Sequence, residues 1–296
     1  MIWCSGWELA SAVSNAGGLG LIGSGSMYPD TLRTHIQKCK KATNNPFGVN
    51  VPLLYPDIDK LMDIIISERV KIVFTSAGNP KIWTQKLKRE GITVVHLVSN
   101  SVFAKKSEDA GVDAVVAEGF EAGGHNGREE TTTMCLVPIV RQAVHIPVIA
   151  AGGIGTGRGM LAAMALGADG VQVGSRFVAS NEASANINFK QAVVNSMEGD
   201  TKLMLRQLTP VRLLKNDFFE KVQQAEAAGA STQELINLLS KGRAKKGMFE
   251  GDLKEGELEI GQIAALIKEI KPVAAIVKEI VEEFESAKAQ LQQIHF

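Results

Sequence analysis

The residues best suited to chemistry lie in one loop, Glu118–Gly127, which follows the apolar run Asp113–Val116 and combines four glycines, two carboxylates and a histidine. Glycine lets a backbone come close to a ligand because it has no Cβ. His125 would place an imidazole beside that ligand, and imidazoles exchange protons near neutral pH. Charged residues and glycines crowded at the carboxyl end of a strand predict a binding or catalytic site. The alternative is that His125 only satisfies local backbone groups.

Two more glycine loops follow the last two predicted strands. Gly152 and Gly153 end one strand, and Gly174 and Ser175 end the next. In a (β/α)₈ barrel, the loops after strands seven and eight commonly bind a phosphate through backbone N–H groups. These loops therefore predict a phosphate site, with a hydroxyl donor from Ser175; the alternative is that the glycines are ordinary turn residues.

Short apolar runs alternate along the chain with longer amphipathic stretches. The predicted strands are Leu19–Gly23, Phe47–Val51, Lys71–Thr75, Ile92–Val98, Asp113–Glu118, Pro147–Ala151 and Gly170–Gly174. The predicted helices are Trp7–Ala16, Pro29–Ala42, Asp57–Glu68, Pro80–Glu90, Ser101–Ala110, Thr131–Val144 and Gly157–Leu166. Continuously apolar strands that alternate with helices indicate a parallel sheet covered on its faces.

A closed (β/α)₈ barrel has eight strands and begins with a strand. This chain shows seven predicted strands and begins with a helix, so we expect a (β/α)₈ TIM barrel, of the α/β class, that lacks its first strand. Beyond residue 200 the pattern is helical, apart from a short predicted strand over Thr209–Leu213, and residues 257–292 predict two amphipathic helices separated by Pro272.

We divide the chain into three predicted parts. They are an FMN-binding barrel domain over residues 1–200, a small helical region on the substrate side over residues 201–256, and C-terminal helices that pack back on the barrel over residues 257–296. The assignment of FMN depends on the resemblance described below.

Composition excludes several classes of function. Lys+Arg and Asp+Glu both number 32 in the 296 residues, so no net charge attracts nucleic acid or an anionic membrane. The basic run Lys241–Lys246 and the acidic run Glu250–Glu259 are interpreted as solvated surface. No run of about 18 apolar residues could span a bilayer.

The three cysteines, Cys4, Cys39 and Cys135, are odd in number and lack CxxC spacing. They indicate free thiols in a reducing compartment and no structural metal site. Because the first residues also lack the basic region of a signal peptide, we expect a cytoplasmic protein.

Six segments, in order, resemble the nitronate monooxygenase superfamily. They are Ala12–Gly20, Pro46–Asn50, Ser76–Pro80, Glu118–Gly127, Ala150–Ile154 and Gln172–Phe177. Within that superfamily the chain is most similar to the FMN-dependent enoyl-[acyl-carrier-protein] reductases of bacterial fatty-acid synthesis. Gly256–Ile267 resembles a family loop that faces the site. The resemblance implies FMN as cofactor, NADH or NADPH as electron donor, an enoyl substrate linked to acyl carrier protein or CoA, and a homodimer as a possible assembly.

The resemblance also implies roles for individual residues. The expected cofactor-binding residues are Asn50, Glu118, Gly119, Gly124, Gly152, Gly153, Gln172, Val173, Gly174 and Ser175. His125 is expected to be the catalytic residue and to face the substrate over the flavin. Ser76, Asn79 and Gln262 are expected on the substrate side, and no metal ligand is expected.

Two departures from the family pattern bear on the choice of reaction. Position 118 is usually glutamine in the nitronate monooxygenases and glutamate in the reductases, so Glu118 favours the reductase. The family also has an N-terminal strand followed by Gln-Gly-Gly-Met, and this chain begins at what resembles that methionine. The alternatives are a nitronate monooxygenase that oxidises alkyl nitronates with O₂, and a flavin-binding barrel without activity.

The residues suit enoyl reduction. An enoyl thioester accepts a hydride at Cβ and a proton at Cα; flavin supplies hydride chemistry, and an imidazole can share the proton transfer. In a monooxygenase, the same His125 would orient or deprotonate the nitronate.

Overall fold

A computed structural model describes residues 1–293 of the protein, and within them lie ten strands and twelve α-helices. The strands are β1 (Gly20–Gly23), β2 (Phe47–Pro52), β3 (Ile72–Ser76), β4 (Thr93–Val98), β5 (Ala114–Glu118), β6 (Gly124–His125), β7 (Val148–Ala151), β8 (Gly170–Gln172), β9 (Thr201–Met204) and β10 (Val211–Leu214).

The helices surround the strands in sequence. They are α1 (Trp7–Asn15), α2 (Pro29–Ala42), α3 (Ile58–Ser67), α4 (Thr84–Arg89), α5 (Ser101–Asp109), α6 (Thr133–Ala143), α7 (Gly157–Ala165), α8 (Ser175–Val178), α9 (Ile187–Asn195), α10 (Asp217–Ala227), α11 (Thr232–Leu239) and α12 (Val273–Leu291). Shorter 3₁₀ turns span Ser24–Ser26, Pro80–Ile82 and Gln262–Leu266, and a π turn spans Lys245–Phe249.

Seven parallel strands form one sheet in the order β1-β2-β3-β4-β5-β7-β8. The order follows the chain, as each crossover helix returns the chain beside the strand just completed. The predicted barrel class is confirmed, since this curled parallel sheet and its helices match TIM-barrel structures. Each predicted strand is found within two residues of its predicted bounds.

The two faces of the parallel sheet are buried against different partners. On one face Phe74, Val95, Val116 and Ala151 pack together as the interior of the sheet. On the opposite face, strand residues such as Val73 pack with side chains from the helices in a larger core. Because side chains alternate along a strand, the register assigns every strand residue to one of these faces.

The region after residue 200 corrects the prediction of a helical segment. It begins with the antiparallel strands β9 and β10, and β10 also pairs with β6 to give a three-stranded sheet. The predicted strand Thr209–Leu213 corresponds to β10, whereas its partner β9 was missed. Gly124 and His125, predicted as loop, thus form strand β6.

The first of the two C-terminal helices predicted within residues 257–292 is also wrong. Residues 257–261 are extended and continue into the 3₁₀ turn Gln262–Leu266, whereas α12 forms as expected after Pro272. Leu258 and Ile260 are buried with a period of two, because Glu259 bridges to Leu213 as in a strand. The helix was predicted from the spacing of Ile260, Ile263, Leu266, Ile267 and Ile270, which did not take this alternation into account.

Two smaller predictions need correction. The predicted helix Pro80–Glu90 consists of a 3₁₀ turn, the intervening Trp83 and then α4, and the short helices α8 and α9 were missed. Helix α12 packs against α7 and α1, so the C-terminal helix does return to the barrel. The predicted division at residues 200 and 256 stays a prediction, and residues 294–296 lie outside the described part of the chain.

No helix within residues 1–293 is both long and apolar enough to cross a membrane.

Candidate active site

Four of the predicted site residues share the inner face of the sheet at its carboxyl end. Asn50 pairs in register with the inward Phe74, Ser76 lies two residues after Phe74 on the same strand, and Glu118 and Gln172 both pair with the inward Ala151. The Ser76 hydroxyl donates to Asn50 Oδ1 at 3.4 Å. Strand register therefore brings together side chains that are up to 122 positions apart in the sequence.

The surroundings of the Gln172 side chain suit a polar ligand such as the predicted flavin. Gln172 Oε1 is buried without a hydrogen-bond partner within the described residues, although buried polar atoms are normally paired. A flavin presents ring N–H and ribityl hydroxyl donors that could pair with such an acceptor. This unpaired oxygen is independent evidence for a ligand.

The glycine loops form a cradle that side chains would fill. Gly152 and Gly153 have φ of +92° and +69°, which L side chains rarely adopt. A Cβ on Gly152 would also lie 2.6 Å from the Gly119 carbonyl oxygen. Gly174 immediately precedes α8. A Cβ on Gly174 would lie in open space, with Met1 Sδ as its nearest atom at 3.7 Å. These loops could hold a phosphate through their backbone N–H groups.

Ser175 and Val173, both expected to bind the cofactor, make contacts within the protein, and their role toward a cofactor stays a prediction. Ser175 Oγ accepts a hydrogen bond from the Gly261 N–H at 3.0 Å, which joins the phosphate loop to the C-terminal segment. The Val173 side chain packs on the outer side, with clusters that include Phe177 and Ile154. Val173 can therefore offer a ligand only its backbone.

Glu118 ends β5 as an enclosed carboxyl group. Burial raises its pKa from 4.5 to about 7. The next residue, Gly119, packs tightly on the start of α6, because a Cβ there would lie 2.1 Å from Thr133 Oγ1 and 2.4 Å from Thr133 N. The end of β5 is thus fixed against a helix, and its carboxyl group is fixed with it.

The second carboxylate of the loop, Glu121, has a structural role. Its Oε2 accepts hydrogen bonds from the Thr133 N–H at 2.9 Å and from the Thr133 hydroxyl at 3.0 Å. A carboxylate on the first N–H groups of a helix stabilises the helix end. The Glu121 carbonyl also accepts from the Gln262 N–H at 2.9 Å.

His125 is exposed on β6, opposite Val211 of β10. Asn126 holds this turn in place: its Nδ2 donates to the carbonyls of Ala122 at 2.9 Å and Gly124 at 3.0 Å, and its N–H donates to the Pro210 carbonyl at 2.8 Å. The imidazole is accessible to a substrate, and its ring position is defined by a sheet rather than by a free loop.

The comparisons agree with this geometry. A model of the family described as "Nitronate monooxygenase" matches residues 1–64 and 56–283. The chain belongs to the nitronate monooxygenase family.

Among solved structures, FabK from Thermotoga maritima is 44% identical with a TM-score of 0.94, covering 99% of this chain and 93% of its own. Nitroalkane oxidase from Streptomyces ansochromogenes is 29% identical with a TM-score of 0.83, covering 98% and 95%. A curated relative, "(3aS,4S,5R,7aS)-5-hydroxy-7a-methyl-1-oxo-octahydro-1H-indene-4-carboxyl-CoA dehydrogenase" from Rhodococcus jostii, is 31% identical over 95% of this chain and 90% of its own. These relatives and the family support an oxidoreductase of the flavin-dependent type.

Two predicted substrate-side residues of this family member lie less directly at the site than Ser76. Asn79 is exposed, and its Oδ1 accepts from the Lys81 N–H at 3.1 Å, which caps the 3₁₀ turn Pro80–Ile82. Gln262 is exposed at the start of another 3₁₀ turn, tied to the Glu121 loop by its backbone. Their roles toward a substrate stay predictions.

Sequence reasoning missed Arg212, whose side chain stabilises the Glu118–Gly127 loop. Arg212 is 1% exposed, its Nη2 and Nε donate to the Phe120 carbonyl at 2.8 and 3.2 Å, and its guanidinium lies 4.5 Å from the Phe120 ring centroid. An arginine inside the apolar run Val211–Leu214 was the available signal, because a charged residue in a strand is buried only when paired.

Glu257 and Glu259 were also missed, because the acidic run Glu250–Glu259 was interpreted as solvated surface. That interpretation is wrong at its end: Glu257 is 8% exposed, and burial raises the pKa of both carboxyl groups to about 7. Glu257 lies near His125, and a Cβ on Gly124 would be 2.5 Å from Glu259 Oε2. The alternation of Glu with Leu258 and Ile260 was the signal.

No group of three or more His, Cys, Asp or Glu side chains within the described residues has the geometry of a metal site.

Proposed function

We propose that the protein is an FMN-dependent reductase of trans-2-enoyl thioesters, which uses NADH or NADPH as electron donor. The supporting observation is the enclosed carboxyl group of Glu118 at the end of β5, set beside the unpaired Gln172 Oε1 and the glycine cradle. Similarity to FabK, an FMN enoyl-acyl-carrier-protein reductase, supports the same choice. The natural substrate would be an enoyl group on acyl carrier protein or CoA.

The flavin, when bound, supplies the hydride chemistry of the reaction. Gly152, Gly153 and Gly174 would hold its phosphate through their N–H groups, and Gln172 and Asn50 would pair with its polar edge. Each of these residues lies within two residues of the carboxyl end of a strand. The chain thus positions the cofactor with rigid elements rather than with long mobile loops.

The chain's own residues would then handle the substrate. His125, which is exposed on β6, would hold and exchange a proton with a substrate bound above the flavin. Ser76 on β3 donates a hydrogen bond to Asn50 on the adjacent strand β2, and from there the Ser76 hydroxyl can help to orient the substrate. Glu118, whose burial keeps about half of the carboxyl groups protonated near pH 7, limits the negative charge beside the flavin.

A nitronate monooxygenase is the second candidate, favoured by the family model and by the nitroalkane oxidase structure. A nitronate substrate is an anion, and an enclosed carboxyl group in its ionised form would repel it. A neutral glutamine at position 118 would not. The presence of Glu118 is therefore the sequence feature that favours the reductase over the monooxygenase.

Anaerobic stopped-flow spectroscopy tests the proposal. The flavin-loaded protein is reduced with NADH, or with NADPH in a parallel run, and then mixed with crotonyl-CoA. We expect the flavin absorbance near 450 nm, a property of oxidised flavins in general, to return in a single turnover with formation of butyryl-CoA. Reduction of the oxidised flavin by an alkyl nitronate, with turnover once O₂ is admitted, and no re-oxidation of the NADH-reduced flavin by crotonyl-CoA would transfer the function to the second candidate. A flavin that neither the nucleotides nor a nitronate reduces would indicate a binding protein.

A further inference from the structure

The extended segment Glu257–Gly261 lies between the two loops that form the candidate site. Its Glu259 bridges antiparallel to Leu213 of β10, and its Leu258 carbonyl accepts from the Leu214 N–H at 2.8 Å. At its end, the Gly261 N–H donates to Ser175 Oγ at 3.0 Å. The segment is thus attached to β10, the strand that pairs with the His125 strand β6, and at its end to the Gly174–Ser175 loop.

Side-chain alternation along this segment points Glu259 toward the site. Leu258 and Ile260 are buried in one apolar cluster with Phe189 and Met248, so Glu259 faces the other way. There its Oε2 lies against Gly124, where a Cβ would be 2.5 Å away. Only a glycine at position 124, with its φ of +74°, leaves room for this carboxyl group beside His125.

The surroundings of Glu259 favour a neutral carboxylic acid. The hydrogen bonds and ion pairs within residues 1–293 give its carboxyl group no partner, and burial raises its pKa from 4.5 to about 7. The ionisable groups that face it are the Glu257 carboxyl group on its own segment, and the Cys4 thiol and the Met1 amino group on the N-terminal segment. His125 and Arg243 are the cations that act on the neighbouring Glu257 carboxyl group.

A neutral acid at this position suits the chemistry of the proposed substrate. When a hydride is added to Cβ of an enoyl thioester, the electron pair of the double bond moves toward the carbonyl, whose oxygen becomes negative until Cα takes a proton. A hydrogen-bond donor enclosed beside that oxygen stabilises the charge. An ionised carboxylate at the same place would repel it.

We propose that Glu259 donates a hydrogen bond to the carbonyl oxygen of the enoyl thioester, and so determines the rate of its reduction. This inference rests on the proposed function. It assigns to Glu259 a role separate from that of His125: His125 exchanges the proton at Cα, and Glu259 holds its own proton throughout.

The test uses the flavin-loaded protein with NADH and crotonyl-CoA between pH 6 and pH 9. For the natural sequence we expect kcat/KM to fall by about 10–100-fold from pH 7 to pH 9, as Glu259 ionises. Glu259→Gln keeps an N–H donor but cannot ionise, so its decrease over the same range should be less than about 3-fold. Glu259→Leu loses the donor and should lower kcat by about 10²–10³-fold at pH 6.5.

Glu257→Gln is the matched control, since it makes the same change of charge two residues away. We expect it to keep the alkaline decrease. If the decrease persists in Glu259→Gln and disappears in Glu257→Gln, the inference is overturned.

Calorimetry provides a measurement that needs no turnover. Crotonyl-CoA is titrated at pH 8 into the oxidised, flavin-loaded natural protein in two buffers of different ionisation enthalpy. We expect uptake of close to one proton per molecule bound at pH 8 and close to none at pH 6, because Glu259 must be protonated to donate. Binding without proton uptake, or no binding at all, would overturn the inference even if the variants did not fold.

The two proposals fail separately in these experiments. A natural protein that binds crotonyl-CoA with proton uptake but never reduces it would refute the proposed function and retain the role of Glu259 in binding. A protein that reduces crotonyl-CoA with the same pH profile as Glu259→Gln would retain the function and refute the inference.

Discussion

Gly174→Ala should weaken flavin binding without disturbing the fold. Gly174 has φ −106° and ψ −74°, which alanine tolerates, and its Cβ would meet no atom closer than Met1 Sδ at 3.7 Å. The free energy of unfolding of the flavin-free protein should therefore change by no more than about 1 kcal/mol, with a gain expected from the stiffer unfolded chain. In the loaded protein, however, the added methyl group would project into the phosphate cradle.

The magnitude of the binding loss follows from the contact that the methyl group blocks. A hydrogen bond from a backbone N–H to a charged phosphate is worth about 1.5–3 kcal/mol. Loss of one such bond corresponds to an increase of about 10–100-fold in the Kd for FMN. Fluorescence titration of the flavin-free protein with FMN measures this change, and urea unfolding of the same preparation measures stability.

Gly170→Ala is the matched control, because Gly170 begins β8 four residues earlier and a Cβ there would meet nothing within 4 Å. It should leave both the Kd and the stability close to those of the natural protein. The reasoning would be refuted if Gly174→Ala bound FMN as tightly as Gly170→Ala.

Three further predictions concern other parts of the molecule. His125→Ala should retain fold and flavin but lower steady-state turnover of crotonyl-CoA by about 10²–10⁴-fold, the range for a positioned acid or base, and unchanged turnover would assign His125 a structural role. Arg212→Met should lower the free energy of unfolding in urea by about 2–4 kcal/mol, because it removes both hydrogen bonds from the buried Arg212 to the Phe120 carbonyl, and Arg212→Lys should lose less; equal stability of the Met and Lys variants would contradict this. Burial lowers the pKa of His96 from 6.5 to about 4, so between these pH values the unfolded chain binds a proton that the folded chain does not. Up to about 3 kcal/mol of stability present above pH 6.5 should therefore be lost as the pH falls toward 4. His96→Gln should flatten this pH dependence in urea titrations, and an unchanged slope would argue against the prediction.

Much of the barrel could be predicted from the sequence because its signals are local. Apolar β-branched runs alternate with amphipathic stretches, and the spacing of apolar residues within each segment predicts a strand or a helix. The glycines at positions 152, 153 and 174 follow within two residues of their strands, so their place at the carboxyl end of the sheet follows from the alternation alone. Asn50, Ser76, Glu118 and Gln172 lie at the same edge because all four are at or near strand ends, and the strand register places them on the same inner face.

The three-stranded sheet could not be predicted in the same way, because its partners are distant and short. Strand β6 has two residues, and it exists only because β10, more than 80 residues later, offers it an antiparallel edge. Propensity carries little information over two residues, one of which is glycine. The burial of Arg212 and Glu259 depends on this sheet, so the residues that brace and complete the site were missed with it.

Glu257–Gly261 illustrates how a charged pattern can mislead. Acidic residues separated by single apolar ones match either a solvated surface or an edge strand with one buried face. The structure resolves the choice through the antiparallel bridge to Leu213. A carboxyl group that sequence reasoning assigned to solvent thus lies against the backbone of the loop that carries His125.

The central claim is that this member of the nitronate monooxygenase family reduces enoyl thioesters. The most direct measurement is the ratio of two kcat/KM values on one flavin-loaded preparation: crotonyl-CoA with NADH or NADPH under nitrogen, and an alkyl nitronate in air. We predict that the value for crotonyl-CoA exceeds that for the nitronate by about tenfold or more, since the ionised form of the enclosed Glu118 repels an anionic substrate. Efficient nitronate oxidation with no reduction of crotonyl-CoA would contradict the account.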